Sequence, residues 1–413
     1  MVRVVFAAPF AMATTLRFLK AVAELPGVRT GLLTQEPIGN LPEDLRKLLA
    51  GHWRVAQGLD PGQVVEGVKG LAGQLGGVDR IVGTLEQLQV PLAEAREALG
   101  VDGLGVEAAE NFRDKARMKT VLRAAGIPCA RHRLAASLEE ALAFAAEAGY
   151  PLVVKPPAGA GAKATFRVED SRALADVFSF SRPGKGNEVL LEEFMTGVEH
   201  SFDTVSIRGK PIWHSLSRYD PTPLDVLRNP WIQWTVMIPR EIDHPRYDDV
   251  RRMGVESLAA LGMQTGVTHM EWFRRQDGGI AVSEIAVRPP GAQFCTLISY
   301  AHDIDFYKAW ARLVVFEEFD PPERRYACGA AYLRGQGTGR VAAIHGLDEA
   351  RKELGDLVVE ARLPRKGQGA SGSYEGEGFV ILRHPETAVV EEALRRLITL
   401  VRVEMAPGPE ASS

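Results

Sequence analysis

Short apolar runs alternate with amphipathic stretches along the first part of the chain, and a parallel sheet with crossover helices satisfies that order. Val2–Ala8 reads as a buried strand, and Gly31-Leu32-Leu33 and Asp79–Gly83 read as further strands. Between them, Thr14 is placed to cap a helix carrying Leu16, Leu19 and Ala23, and Pro26-Gly27 ends it. A further helix is expected from Gln89 to Leu99. The result is a Rossmann-like unit. Yet Ala8-Pro9-Phe10-Ala11 occupies the turn after the first strand, where a dinucleotide site needs its glycine fingerprint. Dinucleotide binding is therefore disfavoured.

The remaining sequence divides by changes in pattern. Asn111–Lys115 opens a helix that ends near Gly126-Ile127-Pro128. Ser137, with Glu140 three residues on, caps another that ends at Gly149. Leu152–Lys155 is a strand, followed by the small-residue loop Ala158–Lys163. Three strands are expected over Glu188–Phe194, His200–Ile207 and Pro211–Ser217, and helices over Arg246–Leu261 and Asp303–Val315. Expected units are a Rossmann-like domain (1–107), two α+β lobes (108–187 and 188–320) and a small C-terminal α+β domain (321–405). A disordered tail completes the chain (406–413).

With 413 residues, the chain is long enough for several packed units. A net charge of −4 provides no basic surplus for nucleic acid or a membrane surface. Cys129, Cys295 and Cys328 are widely spaced and form no metal motif. Reduced thiols in the cytoplasm are the expectation. No apolar run approaches a membrane span. A homodimer is compatible with these features.

The chemistry concentrates on one hairpin. Asp277-Gly278 lies between two apolar strands, and as a two-residue loop it places Glu271 directly opposite Glu284. Their Cβ atoms would be roughly 5 Å apart. Two carboxylates so close repel, and a divalent cation removes the conflict; carboxylates with waters and phosphate oxygens suit Mg²⁺, with Mn²⁺ as an alternative. By the same period, Ala286 and Arg288 share the face of Glu284, and His269 opposes Ala286. Elsewhere, Lys155 ends an apolar strand, where a buried ammonium needs an anion. The loop after it can present backbone N–H groups to phosphates.

In order and spacing these residues resemble the ATP-grasp superfamily. The resemblance implies that Lys115 and Lys155 face the nucleotide, with Gly159, Gly161 and Lys163 in a phosphate lid. It further implies that Glu192-Glu193-Phe194-Met195 is the adenine hinge and Glu199 the ribose acid. Glu271 and Glu284 match the metal ligands, and Arg288 the catalytic arginine. Ala286 departs from the family, which carries a metal-binding Asn there. Gly266-Val267-Thr268-His269-x-Glu271 with Glu-x-Ala-x-Arg is similar to the L-amino acid ligase branch, which makes dipeptides. The implied activity is ATP-dependent joining of a carboxylate to an amine through an acyl phosphate. An inert ATP-binding module, a carboxylase and a thiol ligase are the alternatives. Tyr219, Trp231, Trp234 and Trp272 are candidates for lining an aromatic substrate pocket, and Cys295 reads as a small buried residue.

Overall fold

The structure, a computed structural model, describes residues 1–159, 164–229, 232–337, 339–371, 373 and 375–406. The expected tail beyond Ala406 lies outside the described residues; Ala406 itself ends a strand. The N-terminal sheet contains β1 (Val2–Ala7), β2 (Val28–Thr34), β3 (Leu49–Arg54) and β4 (Arg80–Gly83). They run parallel in the order β3-β2-β1-β4. The helix Ala13–Ala23 starts after Met12 with no side-chain cap, so Thr14 lies inside it rather than at its cap. Helix Pro61–Leu75 has the fuller set of boundary signals. Asp60 accepts from the N–H of Gln63, Pro61 opens the first turn, and Gly76 closes it at φ 79°.

Two helices, Val106–Arg113 and Lys115–Ala124, replace the single one expected to open at Asn111. Asp114 breaks the run in an extended conformation, and its carboxylate accepts from the N–H groups of Ala116 and Arg117, both at 2.8 Å. Lys115 thereby becomes the first residue of the second helix. Strands β5 (His132–Ala135), β6 (Leu152–Lys155), β7 (Phe166–Val168) and β8 (Val189–Glu193) form an antiparallel sheet in the order β5-β8-β6-β7. Ser137 caps the helix Leu138–Ala148, and the Glu140 carboxylate reaches back to the N–H of Ala136 at 2.7 Å.

The largest sheet begins with β9 (Val198–Ile207), β10 (Lys210–Asp220), β11 (Trp234–Ile238), β12 (Gly266–Arg274), β13 (Ile280–Ala286) and β14 (Ala327–Leu333). After β15 (Gly335–Gln336) and β16 (Arg340–His345) come β17 (Val358–Arg362), β18 (Gly378–His384) and β19 (Arg402–Ala406). The eight-stranded order is β13-β12-β9-β10-β11-β14-β18-β17, and β15, β19 and β16 form a small sheet. Three C-terminal strands thus continue the large sheet, joined through the β11–β14 ladder. Helix Asp248–Leu261 starts slightly later than expected, and the segment around 303 contains two helices, Phe294–His302 and Phe306–Phe316. Phe18 packs on Trp310 with ring centroids 4.8 Å apart, joining the N-terminal unit to the second of these helices.

Candidate active site

One cleft gathers every described site residue expected from the sequence: Lys115, Lys155, Gly159, Glu192, Glu193, Phe194, Met195, Glu199, Glu271, Glu284 and Arg288. Gly161 and Lys163 lie outside the described residues. Strands β12 and β13 supply the floor. Glu271 pairs with Glu284, Met270 with Ile285 and His269 with Ala286. The turn, however, is not the expected two-residue loop. Arg275 N–H bonds to the carbonyl of Gly279, which leaves Gln276, Asp277 and Gly278 as a three-residue loop with Gly278 at φ 82°. Trp272 consequently opposes Val282, one residue out of the expected register. A β-bulge between Glu271 and Trp272 absorbs the offset and restores the carboxylate pair. Trp272 and Val282 are fully buried beneath it.

Charge in the cleft is already paired. Lys115 Nζ lies 2.7 Å from Glu284 Oε1 and donates to the carbonyl of Gly159 at 3.0 Å. Glu192 is buried between two lysines, with Lys119 Nζ at 3.1 Å and Lys155 Nζ at 2.9 Å. Burial alone would raise the Glu192 carboxyl, but Lys119 and Lys155 outweigh it and hold its pKa at about 2. The anion needed by Lys155 is therefore internal. For Glu284, burial also pulls the pKa up, and Lys115 and Lys155 bring it below the ordinary value. Glu199 goes the other way: burial first, then Glu271, lifts it well above the carboxylate range.

The hinge segment is held by the sheet around it. Glu193 takes the Arg131 guanidinium on its carboxylate at 2.6 Å, and Phe194 donates to the carbonyl of Pro151. Arg167 covers the Phe194 ring at 4.2 Å.

Three contributors, Glu86, Asp203 and Lys119, were not singled out from the sequence. Glu86, from the turn after β4, accepts from Arg288 Nε at 3.2 Å and Nη2 at 3.1 Å, while its other oxygen meets Arg113 at 2.9 Å. Asp203 on β9 holds His269 Nδ1 at 2.6 Å. Burial pushes the His269 imidazole down, but Asp203 beside it outweighs this and raises its pKa to about 9. Lys119 is the one with a readable signal, because it lies one helical turn after Lys115. The others meet their partners across long stretches of sequence. Tyr219 and Trp234 do line the cleft, with Leu224, Ala292 and Phe294. Trp272 does not; it stacks on His200 at 4.6 Å, and Trp231 lies outside the described residues. Cys295 is buried, and burial raises its thiol far above the usual range.

Among the described residues, no group of three or more metal-ligating side chains occurs. Two facing carboxylates fit Mg²⁺, which keeps waters and phosphate oxygens in its shell, better than a metal that needs a full protein cage. Ala286 adds no oxygen to this pair.

Residues 114–204 match the family described as carbamoyl-phosphate synthase L chain, ATP binding domain. The solved L-amino acid ligase from Bacillus licheniformis superposes with a TM-score of 0.76 at 20% identity, covering 99% of both chains. An N5-carboxyaminoimidazole synthetase from Staphylococcus aureus complexed with ADP gives 0.70 at 14% identity, covering 96% of each. These matches and the paired-carboxylate hairpin give the chain the ATP-grasp class of fold. Within that class it is similar to ligases that act on amino acids. It is 26% identical to the L-arginine-specific L-amino acid ligase of Bacillus subtilis over 59% of this chain and 60% of that protein. It is 26% identical to the alanine–anticapsin ligase of Bacillus subtilis (strain 168) over 72% of this chain and 67% of that one. The chain thus spans about three fifths to two thirds of these relatives' lengths.

Proposed function

We propose that this protein is an ATP- and Mg²⁺-dependent carboxylate–amine ligase that forms an amide or peptide bond between amino acid substrates. The observation that carries the reading is the Glu271–Glu284 pair, set in one cleft with Lys115, Lys155 and Arg288. A Mg²⁺ ion held by the two glutamates would draw charge from the phosphate oxygens. Lys155 and Lys115 face the nucleotide's phosphates, and the segment Glu193-Phe194-Met195 borders the adenine. Glu199, buried at the same end of the cleft, would meet the ribose hydroxyls.

The substrate carboxylate attacks the γ-phosphorus, the bond to the bridging oxygen breaks, and ADP leaves. Arg288 orients that carboxylate and stabilises charge on the migrating group. The amine then attacks the acyl carbon, loses a proton and expels phosphate. Tyr219, Leu224, Trp234, Ala292 and Phe294 form an apolar wall on the substrate side, which favours an uncharged side chain on one amino acid. The working expectation for assembly is a homodimer, read by light scattering.

The test is phosphate release across amino acids supplied singly and in pairs, with products identified by mass. The reading expects release to require a pair, with apolar members faster than lysine, arginine or aspartate. ATP binding without turnover for any pair in a broad panel would instead favour an inert nucleotide-binding module.

A further inference from the structure

The register of the β12–β13 hairpin is held from outside the hairpin. Ser283 is the extra residue opposite the Glu271/Trp272 step, and its carbonyl accepts from Lys119 Nζ at 2.5 Å. That ammonium also pairs with Glu192, whose second oxygen holds Lys155. Lys119 has no solvent exposure, so its charge is committed to these two partners.

Two backbone N–H groups flanking the bulge on this edge strand meet neutral partners. Val282 N–H bonds to the carbonyl of Pro128 at 2.8 Å, and Ile285 N–H points at Met118 Sδ at 3.3 Å. At the bulge itself the backbone carbonyl of Ser283 meets a buried cation. A bulge interrupts the ladder and leaves a backbone group to be satisfied elsewhere, and a one-residue slip exchanges the faces of every following side chain. Were the register near the turn to continue unbroken, Ser283 would face Glu271 and Glu284 would turn toward the apolar layer that contains Met270.

We propose that Lys119 is a positioning residue for the metal pair, locking the bulge that brings Glu284 opposite Glu271 while fixing Lys155 through Glu192. The inference rests on the assignment of Glu271 and Glu284 to a divalent cation, and it concerns a residue that need touch neither metal nor nucleotide.

Binding of Mn²⁺ to the ADP-loaded protein, followed by electron paramagnetic resonance, tests it without turnover. Lys119→Met should weaken Mn²⁺ binding by about tenfold or more and leave adenosine affinity unchanged, because adenosine has no phosphate to meet the metal. Lys119→Arg, which can donate to the same carbonyl, should recover part of the loss. In Lys119→Met/Glu192→Gln the carboxylate that faced Lys119 is neutralised with it while an amide oxygen remains to accept from Lys155, which keeps the test usable should the single variant fold poorly. The double variant should stay folded by circular dichroism yet keep the weakened Mn²⁺ binding. Wild-type Mn²⁺ affinity in either folded variant overturns the lock. A wild-type protein that binds ADP but no Mn²⁺ overturns the metal assignment itself, and the lock with it.

Discussion

Arg288 and Glu284 meet different partners, and that difference makes them separable by mutation. Glu284 pairs with Lys115 and belongs to the proposed metal pair, so it acts in ground and transition states alike. Glu284→Gln should therefore weaken Mg-nucleotide binding together with turnover. Arg288 is held by the carboxylate of Glu86, so a substrate carboxylate competes with an internal one for the same guanidinium. Arg288→Ala should leave ATP affinity nearly intact and slow turnover by ~10²–10³-fold, about 3–4 kcal/mol of lost stabilisation. Calorimetry with ATP and steady-state kinetics on the same preparations check both; equal activity of Arg288→Ala and wild type would remove its assignment. Arg288 was legible because strand period puts it on the face of Glu284. Glu86 was not: it is 202 residues away in sequence, and nothing local to a turn in the first unit marks it as a partner.

At the scale of elements, the capped break at Asp114 governs where Lys115 points. Asp114→Ala removes the acceptor of two N–H groups at the start of helix Lys115–Ala124 and should cost about 1 kcal/mol, up to about 2. Urea unfolding reads this as a lower midpoint with an unchanged slope, whereas a variant as stable as wild type would deny the cap its role. The hairpin shows where sequence reading succeeds and fails. Alternation and the Asp277-Gly278 turn correctly place Glu271 opposite Glu284. The path to that register differs, because Gly278 at positive φ serves a three-residue loop as well as a two-residue one. The compensating bulge depends on the buried Lys119 and on contacts from residues 118 to 128, which no local pattern along β13 encodes. Likewise, β3 and the Phe294–His302 helix are built from short, weakly patterned runs whose placement is decided by packing.

Among the described residues, His200 and His302 are buried and His214 partly buried, each held neutral, and stability should respond to acid through them. His200, His214 and His302 are each pushed down to about 4, burial being the largest cause in every case. Unfolded histidine titrates near 6.5, so the unfolded chain takes up protons that the folded one refuses. Their contribution is fully present above about pH 6.5 and is lost as the pH falls toward 4. The slope reaches at most about 4 kcal/mol per pH unit for three protons. His269, raised to about 9, has the opposite sign and acts above this window. Urea midpoints at pH 7.5 and 5.5 should fall accordingly, with His214→Gln flattening the dependence by about a third; equal midpoints would contradict the buried-neutral account. The expected boundaries near residues 107, 187 and 320 are proposals of the same scale, open to limited proteolysis. Among the described residues no helix is long and apolar enough to cross a membrane. Only part of this organisation was legible. The N-terminal alternation carried over into a parallel sheet, while the joining of β14, β17 and β18 to the large sheet depends on pairing between distant segments. The central claim is that a carboxylate oxygen attacks the γ-phosphate. Turnover with an amino acid labelled with ¹⁸O in its carboxylate, followed by mass analysis of the released phosphate, measures that step directly. The account predicts one labelled oxygen in each phosphate released, with ADP unlabelled; unlabelled phosphate, or label recovered in AMP, would contradict it.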